Sequence, residues 1–212
     1  MPRVVDHDER REQIARTFQR HVAQHGLAAT TFARVAAEAG ISVGLIQHYF
    51  ASRDDLLVFV FVDFLRTRDQ RIAQHIADGE AAQRPIREIL GVALHELLPL
   101  DAQRTQELRI TQHLHARALH DPGVATVARR ADRDLEVRAA TAVRNGKLCG
   151  EVADDVDPDV AAARILAAIY GLSSRLLLTG GRRRSRAPVA AILDPVLATV
   201  FTGRCQHYEL PA

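Results

Sequence analysis

The stretch TTFARVAAEAGISVGLIQHYF, residues 30–50, decides the fold. Thr30 or Thr31 can cap a helix running to about Ala39, and Gly40 follows where a left-handed turn would cost other residues energy. Ser42 can then cap a second, shorter helix through Phe50. Val35, Ala36 and Ala39 form the inner face of the first helix, with Ala36 small enough to let the second approach. Ile41 and Ile46 anchor the second helix from inside. Val43, Gly44, Gln47 and His48 are left pointing away from the core, on a helix short enough to sit in a major groove. This is the geometry of a helix-turn-helix, although small residues and a glycine turn also suit an ordinary helical hairpin.

Working outward, Ile14, Phe18 and Val22 recur at spacing four and share one face of a helix over residues 8–25, which Gly26 ends. Downstream, Ser52 caps a fourth helix, with Asp54 and Asp55 in the first turn where the helix dipole favours acids. Residues 53–78 contain neither Pro nor Gly, so this helix is expected to be a rod of roughly 39 Å that can join two domains. Gly79 and Pro85 mark its end. Further helices are expected over residues 85–98, 101–119, 124–145, 159–179 and 188–201. Asn145-Gly146 closes the third of these, and Pro195 kinks or restarts the last. The expectation is an all-α chain of about nine helices. A three-helix domain with the helix-turn-helix occupies residues 1–52, and a ligand-binding and dimerisation domain occupies residues 53–212.

With 212 residues, of which 47% are hydrophobic and 25% charged, the chain can bury a core, and disorder throughout is excluded. The net charge of +2 identifies a nucleic-acid binder only if the basic residues cluster. Cys149 and Cys205 lie far apart in no metal-ligand spacing, so neither a disulfide framework nor a zinc site is expected. His113 and His115, two apart on a helix, point away from each other and do not share a metal easily. No metal and no cofactor is therefore expected. A reduced cytoplasm is the natural setting: residues 1–12 lack the apolar core of a secretory signal, and the apolar run over residues 56–65 is half of the roughly 20 residues that cross a bilayer. There is no Gly-rich phosphate loop, nucleophile elbow or convincing carboxylate pair, so no enzymatic activity is expected.

The hairpin in its context resembles the TetR family of transcriptional regulators. The resemblance covers residues 14–57 and rests on Ile14, Ala15, Phe18 and Gly26, on Thr30, Thr31, Val35, Ala36, Ala39, Gly40, Ile41, Ser42 and Gly44, and on His48, Tyr49, Phe50, Ser52, Arg53 and Leu56. It implies a homodimeric repressor that binds an inverted-repeat operator in double-stranded DNA and is released by a small-molecule effector. It further implies that Thr30 or Thr31 and Tyr49 touch phosphates and that Val43, Gly44 and Leu45, following Ser42, meet base edges. Arg53 would hold the DNA backbone at the start of the fourth helix. Arg53 stands where this family commonly has Lys. Gln47, next to His48, stands where it often has Tyr and offers an amide able to read adenine.

ARALHDPGVATVARR, residues 116–130, and the region to GLSSRLLLT resemble the BetI-like subgroup. In such relatives the last two long helices pair with their counterparts in a second subunit. Here that implies an interface through Ile165, Ile169, Leu172, Leu176, Val196 and Val200. Apolar residues cover more of the helix over residues 159–179 than a single core requires, with burial inside a monomer as the competing reading. A largely apolar effector is expected between the fourth helix, with Phe61, Phe64 and Leu65, and the helices carrying His95, Gln112, His113, Arg117 and Tyr170. A choline-type cation is not carried over: a quaternary ammonium wants an aromatic cage, and the chain has no Trp and only Tyr170 and Tyr208 as tyrosines outside the DNA-binding domain. The run GGRRRSR, residues 180–186, reads as a solvated loop. The alternative to a DNA-binding repressor is a helical small-molecule-binding or protein-interaction protein.

Overall fold

The computed structural model describes residues 7–179 and 186–206, and the run 180–185 of the arginine-rich segment lies outside them. Nine α-helices and one 3-10 turn make up the described chain, with a lone antiparallel bridge between Val152 and Phe201. The chain divides into two compact units, Met1–Phe64 and Leu65–Ala212.

The first unit contains α1 (His7–His25), α2 (Phe32–Ala39), α3 (Val43–Tyr49) and the first turns of α4 (Arg53–Ala81). Ile14, Phe18 and Val22 of α1 are buried as their spacing demands, together with Val35 and Ala36 of α2 and Ile46 of α3. Burial of each of the Ile, Phe and Val side chains among them contributes about 1.5–3 kcal/mol. The body extends past residue 52 because Leu56, Leu57, Val60 and Phe61 of α4 are also buried. Phe59 meets the Phe50 ring at 5.5 Å, and the Arg11 guanidinium stands 4.7 Å from the Phe59 centroid.

In the second unit, α4 continues through Gly79, where the sequence suggested a stop. A Cβ at Gly79 would lie 2.5 Å from the Ile89 side chain, so this glycine permits close approach to α5 (Ile86–Leu94). The 3-10 turn His95–Leu97 follows, then α6 (Ala102–Ala118), whose N-cap Asp101 accepts from the Arg104 amide. α7 (Pro122–Cys149) likewise runs through Asn145-Gly146: a Cβ at Gly146 would meet Val152 at 2.6 Å and Phe201 at 2.9 Å. Gly150, in the left-handed region at φ 88°, ends it instead. α8 (Pro158–Leu178) and α9 (Arg186–Ala198) complete the unit, with Pro195 accommodated inside α9. Leu94, Leu98, Val143, Ile165, Ile169, Leu193 and Leu197 share one core. α8 is long and apolar enough to cross a membrane, but its stripe Ala161, Ile165, Ile169 and Leu172 belongs to that core.

Beside the core lies a network of charges. Arg71 of α4 donates to Glu96 at 2.5 Å and bidentately to Glu107 of α6 at 3.2 and 2.8 Å. Glu96 also meets His75 and Arg104, each at 3.1 Å. Burial disfavours the Glu96 carboxylate, but the hydrogen bonds from Arg71 and His75 and the charges of Arg104 and Arg71 outweigh it and hold the carboxyl below its usual range.

Candidate functional site

The α2–turn–α3 hairpin is fixed at its ends. Thr31 accepts from the Arg34 amide, Gly40 sits at φ 66° and returns its N–H to the last carbonyls of α2, and Ser42 accepts from the Leu45 amide. With Ile46 buried, α3 can turn in only one way, and Val43, Gly44, Gln47 and His48 are exposed. Thr31 and Ser42 are exposed beside them, Leu45 is half-buried, and Tyr49 lies between His7 and His48 at ring distances of 4.8 and 5.1 Å.

Two expected DNA contacts have other duties. Thr30 is fully buried: its hydroxyl donates to the Gly26 carbonyl at 2.9 Å and meets His21 Nδ1 at 3.0 Å. Of the threonine pair, only Thr31 faces solvent, because Thr30 closes the turn between α1 and α2. Arg53 is half-buried, and its guanidinium donates to the Leu27 carbonyl, so it braces that same turn.

In the second unit a cavity of about 620 Å³ opens among α4, α5, α7 and α8. Its wall is largely aliphatic, with Ile72, Ile76, Ile89, Leu90, Leu94, Leu135 and Leu166 among its residues, and no aromatic side chain among the described residues lines it. Its polar groups are few: Glu80, Arg84, Arg138, Thr141, Asn145 and the thiols of Cys149 and Cys205. Arg138 pairs with Asp69 at 3.0 Å.

None of the eight residues expected around a ligand lines this cavity. Phe61 is buried in the first unit, and Phe64 and Leu65 are half-buried on either side of the division between the two units. The carbonyl of His95 accepts from Arg104, and Arg117 pairs with Asp121 at 3.5 Å. Gln112 donates to Ser174 at 2.6 Å and Tyr170 to Asp132 at 3.2 Å, while His113 is half-buried on α6. Burial and the Asp132 carboxylate push the Tyr170 phenol well above its ordinary pKa. Gln112 and Tyr170 thus belong to polar contacts linking α6, α7 and α8. A histidine or an amide stands out in a sequence as a ligand-facing group, whereas the wall of this cavity is largely aliphatic and reads like any core.

The expected interface residues also divide. Ile165, Ile169, Leu172 and Val200 are buried in the subunit's own core, so they have no surface to offer a partner. Leu176 and Val196 are half-buried. The exposed residues of α8 include Ala163, Ala167, Gly171 and Leu178 beside Val160, Arg164, Tyr170 and Arg175, with Ile192 exposed on α9. A Cβ at Gly171 would meet nothing within 4 Å.

The sequence reading places Cys149 and Cys205 far apart and does not single out Glu151, yet the ligand atoms of all three lie within 4.8 Å of one another. Burial, and after it the hydrogen-bonding and charge of the Glu151 carboxylate, push the Cys149 thiol up to about 12.

Residues 20–59 match the family described as bacterial regulatory proteins, tetR family, and residues 86–202 match the BetI-type transcriptional repressor C-terminal family. The transcriptional regulator PksA of Bacillus subtilis is 28% identical over 57% of this chain and 57% of its own length. The regulator BetI of Burkholderia thailandensis is 28% identical over 92% of this chain and 95% of its own. A transcriptional regulator of Saccharomonospora viridis solved in complex with choline superposes with a TM-score of 0.76 at 24% identity, over 89% of this chain and 95% of that one, a likeness of fold. Spanning both the reading hairpin and more than half of the sequence, these matches establish that the chain belongs to the TetR family of bacterial transcriptional regulators, with a BetI-type C-terminal region.

Proposed function

We propose that the chain is a homodimeric, cytoplasmic repressor that binds an inverted-repeat operator and is released from it by a largely apolar small molecule. The observation that carries this reading is the capped, exposed outer face of α3, with Gln47 and His48 clear of the core beside Thr31 and Ser42. Residues 1–52 supply the DNA-reading surface and residues 53–212 the sensing and pairing surfaces. Thr31 and Tyr49 contact phosphates, and Val43, Gly44, Leu45, Gln47 and His48 face base edges. The aliphatic cavity is the effector site, and the aliphatic lining among the described residues suits an apolar molecule better than a quaternary ammonium such as choline, which wants an aromatic cage. α4 couples the two events: it is continuous from Arg53 to Ala81, and its residues Ile72, Ile76 and Glu80 line the cavity. An effector that prefers a displaced α4 weakens DNA binding by the factor by which DNA weakens effector binding.

A two-fold axis through the exposed faces of α8 and α9 imposes the inverted repeat. Ala163, Ala167 and Gly171 let a second helix approach closely. Fluorescence anisotropy with DNA from upstream of the coding sequence and of its neighbours tests the whole reading. Sequence-specific binding that a thermal-shift ligand reverses is expected, with base preference altered in Gln47→Ala. Absence of specific binding to any of these DNAs sinks it. Gly171→Arg should yield folded monomers by sedimentation; a persisting dimer moves the interface elsewhere.

A further inference from the structure

We propose that Cys149, Glu151 and Cys205 form a binding site for a zinc-class divalent cation in the wall of the C-terminal cavity. The three residues are buried, at 4%, 2% and 8% exposure, and come from the end of α7, the turn after it and the chain beyond α9. Backbone bonds lock the approach: the Gln206 amide donates to the Cys149 carbonyl at 2.7 Å and the Gly203 amide to the Glu151 carbonyl at 2.9 Å. Cys149 Sγ stands 3.4 Å from Glu151 Oε1, and the three ligand atoms fall within 4.8 Å of one another. In a tetrahedral zinc centre, with sulfur at about 2.3 Å and carboxylate oxygen at about 2.0–2.2 Å, donor atoms are separated by roughly 3.5–3.8 Å. Small side-chain movements close the set.

The chemistry suits the donors. Two thiols and one carboxylate carry one negative charge, and exchanging two protons for one divalent cation leaves that charge unchanged. A buried site therefore accepts the ion without the cost of a new uncompensated charge. Glu151 is also oriented from outside: Oε1 accepts from the Ile86 amide at 2.7 Å and Oε2 from the Arg87 amide at 2.9 Å, the arrangement that fixes a ligating carboxylate. Both thiols line the cavity, which leaves its interior to supply a fourth ligand.

The full chain, reduced with a non-thiol reductant and freed of metal by chelation, is titrated with cadmium and then with zinc. One equivalent per chain is expected, with sulfur-to-cadmium charge-transfer absorption and a raised melting temperature. Cys149→Ser and Cys205→Ser should each weaken binding at least tenfold and diminish the absorption. Glu151→Gln should weaken binding while keeping the absorption of both thiolates. Melting curves taken without metal identify any variant that fails to fold, and Cys205→Ala serves as the second truncation at the more exposed thiol. Unchanged affinity in the doubly substituted Cys149→Ser/Cys205→Ser chain, or no thiolate absorption in the parent, overturns the proposal. The site is independent of the operator reading, which is measured by DNA binding alone.

Discussion

The two units are held by polar contacts of opposite reach. In Met1–Phe64 most are local: Thr31 to the Arg34 amide, Ser42 to the Leu45 amide and Ser52 to the Asp55 amide fix helix ends, and the ion pair of Arg20 with Glu38 is solvated. In Leu65–Ala212 the governing contacts join distant stretches, as Arg71 joins Glu96 and Glu107, and as Glu151 joins the amides of Ile86 and Arg87. Caps are worth about 1 kcal/mol and solvated pairs less, so the loss of one is tolerated. A buried pair that loses one partner strands a charge, at a cost of about 3–5 kcal/mol. The first unit is therefore built to leave one face free, and the second to hold the walls of a cavity in place.

The strongest way to break this contrast is Arg71→Met. Removing the cation that serves two buried carboxylates should cost the second unit on the order of 3–5 kcal/mol in urea denaturation, and adding Glu107→Gln should restore part of it. A loss below about 1 kcal/mol would make the network ornamental, since that is the scale of a solvated pair. Acid offers a second probe of the same network. Folding depresses the Glu96 pKa, so its stabilisation is complete above the unfolded carboxyl value of about 4.3 and drains as pH falls through the folded value. Glu96→Gln should flatten the fall of stability over that acidic range, and an unchanged slope would assign acid sensitivity to other groups.

Intermediate in size is Gly79→Ala, whose methyl meets Ile89 at 2.5 Å. A cost of about 1–3 kcal/mol is expected, and Ile89→Ala in the same chain should recover much of it. Additive losses would show that the two helices adjust independently. Smallest is Thr31→Ala in the reading unit, at about 1 kcal/mol in denaturation. A much larger loss would make the cap a keystone and erase the difference between the units.

Legibility follows the same division. Thr31, Gly40, Ser42 and the spacing of Ile14, Phe18 and Val22 act within a turn or two of themselves, so their structural roles could be read directly. Thr30 and Thr31 could not be separated by pattern, because which one is buried depends on His21 across the turn. Gly79 and Gly146 read as stops, since a glycine required by a neighbouring side chain looks the same in sequence as one that ends a helix. On α8 the largest side chains were expected at the interface, but Ile165, Ile169 and Leu172 fill the chain's own core, and the outward face mixes Ala163, Ala167 and Gly171 with Val160, Arg164, Tyr170, Arg175 and Leu178. The cavity went unread because an aliphatic wall resembles any core. Cys149 and Cys205 are brought together by long-range contacts, the Val152–Phe201 bridge and the hydrogen bonds of residues 203 and 206, that no local spacing announces.

Those last bonds bear on how the chain is made. The first unit is formed by the first 64 residues, so its core can close while the ribosome is still working. The second unit waits for Val189, Leu193, Leu197 and Phe201, and Glu151 waits for Gly203. At about 5–20 residues per second of synthesis, the apolar walls of α4, α5 and α7 stay uncovered for several seconds to tens of seconds after the reading unit has emerged. During that interval the uncovered apolar surface of the nascent second unit is open to aggregation.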